Sequence, residues 1–179
     1  MTAARTLLLT VGHGAAGEDD FRRLLQAAEV AAVVDVRIGP GSRKHPHFGK
    51  ARLQEWLPAA GIAYRWEQRL GGFRKLPADS PDTALRNESF RAYAAYMRTP
   101  DFAAALAGVL AEAAVRRTAV MCSETVWWRC HRRLIADHAL LIEGAQPVHL
   151  MPPGRTTPHQ PTAGVRVAGD ELVYDVAPG

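Results

Sequence analysis

Thr6-Leu7-Leu8-Leu9-Thr10-Val11-Gly12-His13-Gly14 is the stretch on which the fold turns. A short apolar run that stops at a glycine-flanked histidine reads as a buried strand with a tight turn at its end. Behind it, residues 18–29 put Phe21, Leu24, Leu25 and Ala28 at helical spacing. Glu18, Asp19 and Asp20 open that helix with the charge its N-terminus prefers. This strand–helix unit recurs along the chain.

Residues 32–36 form a second apolar strand that runs into Asp35-Val36-Arg37, followed by a Gly/Pro/basic loop over 38–50. A short helix over 51–60, with Leu53, Trp56 and Leu57 on one face, leads to a third strand over 62–66. The stretch 69–87 reads as loop. Helices follow over 88–98 and 101–115, parted by Pro100. The pattern then predicts a fourth strand over 117–122, a long helix over 126–143 ending at Gly144, and a fifth strand over 147–151. The tail is turn-rich, with a hairpin of 164–167 and 171–176 around Gly169-Asp170. Strands alternating with helices predict an α/β, three-layer, Rossmann-like domain: a mostly parallel central sheet of about five strands plus a short C-terminal hairpin. Residues 1–151 are expected to make that domain, and 152–179 an extension packed on it.

At 179 residues, 47% apolar and 22% charged, the chain suits one soluble domain. No apolar run approaches the roughly 18–20 residues of a membrane span, and the first apolar run is too short for a signal peptide. A cytoplasmic setting with no membrane partner is expected, with Cys122 and Cys130 reduced. The net charge is only +4, but its distribution is uneven. Arg37, Arg43, Lys44, His45 and His47 form one cluster, and Arg129, His131, Arg132 and Arg133 another. One such cluster is ordinarily a solvated face; two that follow strand ends point to an anion site. The expected partner is an anionic small molecule or nucleic acid. No cofactor motif is present, and the oligomeric state is not legible.

In parallel sheets, ligands bind outside the carboxyl ends of the strands. The candidate catalytic residues fall there: His13, Asp35, Cys122 and Glu124. Cys122 has two readings of equal weight. At a strand-to-helix junction with basic neighbours it is a nucleophile; otherwise it is a small buried residue closing the strand. Arg129 stands one residue too far on for a Cys-x5-Arg phosphatase loop. Cys130 shares a helical face with Trp127 and Leu134 and reads as packing. A metal site from Cys122, Cys130, His131 and His13 matches no recognised spacing, so no metal is expected. Asp35 and Arg37 share a strand face, where Asp35 either orients a ligand or simply pairs with an arginine. Arg37, Arg43, Arg129, His131 and Arg132 are the candidate ligand-binding cations. Gly12, Gly71 and Gly72 are candidates for close backbone approach, and Trp128 for stacking a base.

Several of these residues recur together as spaced motifs: Thr10-Val11-Gly12-His13; Asp35-Val36-Arg37 with Pro40, Ser42-Arg43 and His47-Phe48; Tyr64; Leu70-Gly71-Gly72; Phe90-Arg91 with Tyr93; Met121-Cys122-Ser123-Glu124; and Trp128 to Arg133. In this order, from about Thr6 to Met151, the chain resembles the domain-of-unknown-function 488 family. The resemblance implies a cytosolic α/β domain and leaves the reaction open. Two departures stand out: Gly14 replaces the serine usual after the histidine, and Tyr64-Arg65-Trp66-Glu67 replaces an apolar-histidine run.

Two functions fit. One is an enzyme on a nucleotide or nucleic-acid-related substrate, with Cys122 as nucleophile, His13 or Glu124 as acid/base and the arginines as clamp. The other is a non-catalytic module that binds nucleic acid or a phosphorylated ligand, with Cys122 as packing.

Overall fold

Five of the apolar runs become parallel strands: β1 (Leu7–Gly12), β2 (Ala32–Asp35), β3 (Ala63–Trp66), β4 (Thr118–Cys122) and β5 (Gln146–Met151). A sixth, β6 (Arg155–Pro158), pairs antiparallel with β5. The helices are α1 (Glu18–Ala27), α2 (Lys50–Ala59), α3 (Glu88–Tyr96), α4 (Pro100–Val115) and α5 (Arg132–Leu141), and β7 (Val165–Ala168) and β8 (Glu171–Tyr174) form a separate antiparallel hairpin. The computed structural model describes residues 4–178, so the outermost residues of the expected spans, 1–3 and 179, lie outside the described residues.

The mixed α/β class with a mostly parallel central sheet is as expected, with six strands in the order β3-β2-β4-β1-β5-β6. Crossovers between parallel strands are right-handed. Connections that run toward β3 therefore lie on one face and those that run toward β5 on the other. Accordingly, Phe21 and Leu25 of α1 and Leu53 and Leu57 of α2 pack with Leu9, Val11 and Val33. Tyr93 of α3, Phe102 of α4 and Leu134 of α5 pack with Leu8, Val34 and Val120 on the opposite face. Neighbouring residues of β1 thus serve opposite layers, as the period of a strand requires.

Strand β4 sits between β1 and β2, but its chain leaves to the other face. That reversal opens a crevice at the carboxyl ends of β1, β2 and β4. The hairpin covers one layer through Leu172 and Tyr174, and Tyr174 N–H donates to Asp82 (3.0 Å). Asp82 is in turn held by Arg98, at 2.7 Å.

Three local expectations are corrected. The long helix over 126–143 is broken. Trp127–Arg129 make a 3-10 turn, Cys130 is extended (φ −124°, ψ 153°), and α5 starts only at Arg132. Trp127 and Cys130 lie at helical spacing, but in an irregular loop the half-buried Trp127 stacks flat on His149 (4.2 Å, 2°) and the buried Cys130 turns toward Cys122. Helix α4 begins on Pro100, with the Thr99 side chain accepting the Phe102 N–H at 3.4 Å. Strand β6 occupies part of the tail that reads as turns, and its residues are all exposed, so no apolar pattern marks it. Among the described residues, no helix is long and apolar enough to cross a membrane.

Candidate functional site at the strand ends

The pairing of β1 with β4 continues past both strands. The N–H groups of His13 and Gly14 donate to the carbonyls of Cys122 (3.0 Å) and Ser123 (2.8 Å). This brings the two loops so close that a Cβ at Gly12 would overlap the Glu124 carbonyl. Gly14 has φ +51°, and a Cβ there would overlap Thr125 Oγ1. A side chain at position 14 would therefore have to adopt a positive φ and displace the Thr125 hydroxyl that fills that space.

His13 is held as a neutral ring. Its Nδ1–H donates to Gly14 O (2.9 Å), its Nε2 faces an Arg37 Nη1 at 3.4 Å, and it stacks on Phe48 at 4.3 Å. Burial, opposed by the Gly14 bond and aided by Arg37, lowers its pKa to about 4. Asp35 is fully buried and fully used. It accepts the Arg37 side chain at 2.9 and 2.7 Å, the Arg37 N–H at 3.2 Å and the Tyr64 hydroxyl at 2.6 Å. Arg37 also donates to Phe48 O (2.8 Å). The pair is a rigid fork whose positive end points toward His13. Burial and the Asp35 carboxylate together push the Tyr64 hydroxyl up, so it stays a proton donor.

The loop after β4 carries the rest. Cys122 and Cys130, expected as separate reduced thiols, turn their sulfurs toward each other, with Cα atoms 7.4 Å apart. It is Cys130, not Cys122, that meets the start of the helix: its sulfur accepts the Arg132 N–H at 3.5 Å. Because α5 starts ten residues after Cys122, the helix-terminus argument for that residue falls away. His131 donates from Nε2 to Val36 O (2.8 Å) and turns Nδ1 to the Cys130 sulfur (3.5 Å). Burial lowers its pKa to about 4.

Arg132 faces neither cavity described below. It is completely buried and donates to Glu124 O (2.6 Å), Thr125 O (3.2 Å) and Thr10 Oγ1 (3.2 Å), while Nε has no partner. Burial lowers its pKa to about 9. It positions the Glu124–Thr125 loop from below. Thr10 continues the chain of contacts to His149 (2.5 Å), His149 to His159 (2.8 Å) and His159 to Asp137 (2.7 Å). Asp137 also accepts from Tyr174 OH (2.8 Å) and Thr162 N–H (3.0 Å). Sequence reasoning missed this network. Its members are scattered across the chain, and the signals on offer were Thr10 and His149, polar residues inside apolar strands.

Two cavities flank the loop. The larger, about 530 Å³, is lined by His13, Gly14, Ser42, Arg43, Lys44 and His45, with residues 123–126 as the far wall. The smaller, about 300 Å³, is lined by Arg37, Arg129, Cys122, Cys130 and His131 and by Phe73, Phe90 and Tyr93. Ser123 and Glu124 line both. The structure thus brings His13, Arg37, Arg43, Gly72, Cys122, Glu124, Arg129 and His131 around one wall. Gly71 packs beneath, where a Cβ would stand 2.7 Å from Ile38 Cα. Trp128 is half-exposed, edge-on to Trp127 and outside both linings. The aromatic residues at the smaller cavity are Phe73, Phe90 and Tyr93, of which Phe90 and Tyr93 carried a motif signal and Phe73 none. Among the described residues, no group of three or more His, Cys, Asp or Glu stands close enough to hold a metal ion.

Fold and site together define an α/β protein whose crevice at the strand-order reversal is walled by a Cys-Ser-Glu loop. The family model described as Domain of unknown function DUF488 matches residues 18–139, and the chain belongs to that family. The matched span includes Asp35, Arg37, Cys122, Glu124 and Arg132, while His13 precedes it. No curated protein and no solved structure matches the chain.

Proposed function

We propose that this protein is an enzyme acting on an anionic nucleotide or nucleic-acid-related substrate, with Cys122 as nucleophile. The observation that carries this reading is the shared wall. Glu124 lines both the cleft that holds Arg43 and Lys44 and the cavity that reaches Cys122. An anion in the first places the adjoining part of the same molecule within reach of the second. Arg37, fixed by Asp35, supplies a positive charge that does not need to reorganise. Arg132 keeps the Glu124 backbone in place.

With the cysteine pair reduced, the Cys122 thiol passes its proton to Glu124 and its sulfur attacks an electrophilic carbon or phosphorus of the substrate. The bond to sulfur forms as the bond to the leaving group breaks. The leaving group departs with that electron pair and takes the proton from Glu124. Water then displaces the sulfur, giving the hydroxylated product and restoring the thiol.

The test is incubation of the reduced protein with nucleotides and single-stranded oligonucleotides, with products followed by mass spectrometry. Turnover that disappears in Cys122→Ala and weakens in Glu124→Gln is expected. Full turnover in Cys122→Ala removes the nucleophile. Saturable binding without turnover, unchanged in Cys122→Ala, supports instead the non-catalytic anion-binding module.

A further inference from the structure

Phe73 is the most exposed large apolar side chain of the described residues, at 87%, and its φ of +57° lies in the left-handed region. That conformation is strained for a bulky residue. In the free protein the phenyl ring gains no burial in return.

The residues around Phe73 are anchored. Gly71 is packed against the Ile38 backbone, and Gly72 runs past the His131 ring. On the other side, Arg74 donates to Gly71 O (3.0 Å) and Gln68 O (3.0 Å) and lies over the Tyr96 ring at 3.7 Å. Phe73 therefore projects from a pinned segment onto the rim of the smaller cavity. Phe90 lines the same cavity from the first turn of α3, which Asn87 caps by accepting the Ser89 and Phe90 N–H groups (2.8 and 3.2 Å). Polar groups of Ser89, Ser123 and Glu124 stand among the aromatic walls.

We propose that Phe73 and Phe90 are the jaws of a ring-binding subsite, so that the ligand carries one unpaired planar heteroaromatic ring of the nucleobase class beside its anionic group. This rests on the reading that the basic cleft takes the anion. A cavity of about 300 Å³ lies at the small end of ligand pockets. It suits one ring, and a base inside a duplex reaches it only after leaving the stack. The exposed phenyl finds its burial when the ring binds, which offsets the backbone strain. Serine and carboxylate groups at the ring's edge provide the hydrogen bonds that choose among rings.

The experiment is calorimetric titration of the reduced full-length protein with AMP, UMP, their nucleosides and ribose 5-phosphate. At least one of AMP and UMP binds about 10-fold tighter than ribose 5-phosphate. Phe73→Ala brings that nucleotide down to the ribose 5-phosphate level without changing the unfolding midpoint, and Phe73→Tyr preserves the difference. Equal affinity for nucleotides and ribose 5-phosphate overturns the subsite, as does unchanged nucleotide affinity in Phe73→Ala. The double variant Arg43→Ala/Lys44→Ala separates the two readings, because it weakens phosphate-bearing ligands and spares nucleosides. Phe73-dependent binding of nucleosides with no contribution from phosphate keeps the ring subsite and removes the anion cleft. Binding of none of these probes overturns both.

Discussion

Below and above the loop Ser123–Thr125, the same residue types are used in opposite ways. Below it, Arg132, Thr10, His149, His159 and Asp137 are all at most 5% exposed and pass hydrogen bonds head to tail. Arg132 donates to the Thr10 hydroxyl, that hydroxyl meets His149 Nδ1, His149 Nε2 meets His159 Nδ1, and His159 Nε2 meets Asp137. Asp137 collects two further donors. Above it, Glu124, Arg43, Lys44 and Arg129 are exposed around two open cavities. A buried polar group must find its partner within the fold, whereas a site for a ligand leaves groups for the ligand to satisfy. Asp35 and Arg37 stand between these cases: they lie at the site, and each is the other's main partner.

The largest contrast is in stability. Asp137→Ala strands the His159 ring, the Tyr174 hydroxyl and the Thr162 N–H. It is expected to cost about 3–5 kcal/mol in urea unfolding. Glu124→Ala is expected to leave the unfolding midpoint where it is while weakening turnover. A reversal of these two effects would break the distinction between the regions.

Asp35→Asn should be intermediate. It removes the charge opposite a buried guanidinium, with an expected loss of about 3 kcal/mol and a lower affinity for anions. Unfolding and titration on the same variant separate the two effects.

Acid sharpens the comparison next. Burial lowers His13, His131 and His138 to about 4 and His149 to about 3, from an ordinary 6.5. Between those values the unfolded chain takes up protons that the fold refuses. This contribution is complete above about pH 6.5 and is lost as pH falls toward the folded values, at up to about 1.4 kcal/mol per pH unit for each histidine. His138 has no partner at Nδ1 and packs edge-on to Phe102 at 5.1 Å. His138→Phe should therefore make the acid limb of stability shallower by one proton; an unchanged slope would show that His138 is not among the residues responsible.

The smallest structural effect belongs to Arg43→Ala. No change in unfolding is expected, together with several-fold weaker phosphate-dependent binding and a weaker dependence on salt.

The legible part of the molecule was its local part. Short apolar runs gave the five parallel strands, and polar residues just beyond Val11, Val34 and Met121 marked the strand ends where the cavities lie. What was hidden depends on pairings distant in sequence. Nothing in the pattern places β4 between β1 and β2, because these three strands read as equally apolar. Arg132 reads as a ligand-binding cation because the groups that receive it, Thr10 and the carbonyls of Glu124 and Thr125, meet it only through the sheet. The broken helix was masked because Trp127, Cys130 and Leu134 have helical spacing although each packs through a different contact. Phe73, lone and flanked by polar residues and glycine, carries no periodic signal at all.

The most direct test of the central claim, that one anionic ligand straddles the Ser123–Glu124 wall, is a titration of reduced, ¹⁵N-labelled protein with AMP, read at each backbone amide. The account predicts saturable shifts concentrated at Gly14, Arg43, Ser123, Glu124, Gly72 and Phe73, with none along Asp137, His149 and His159. Saturable shifts confined to another surface, or none at all, would contradict it.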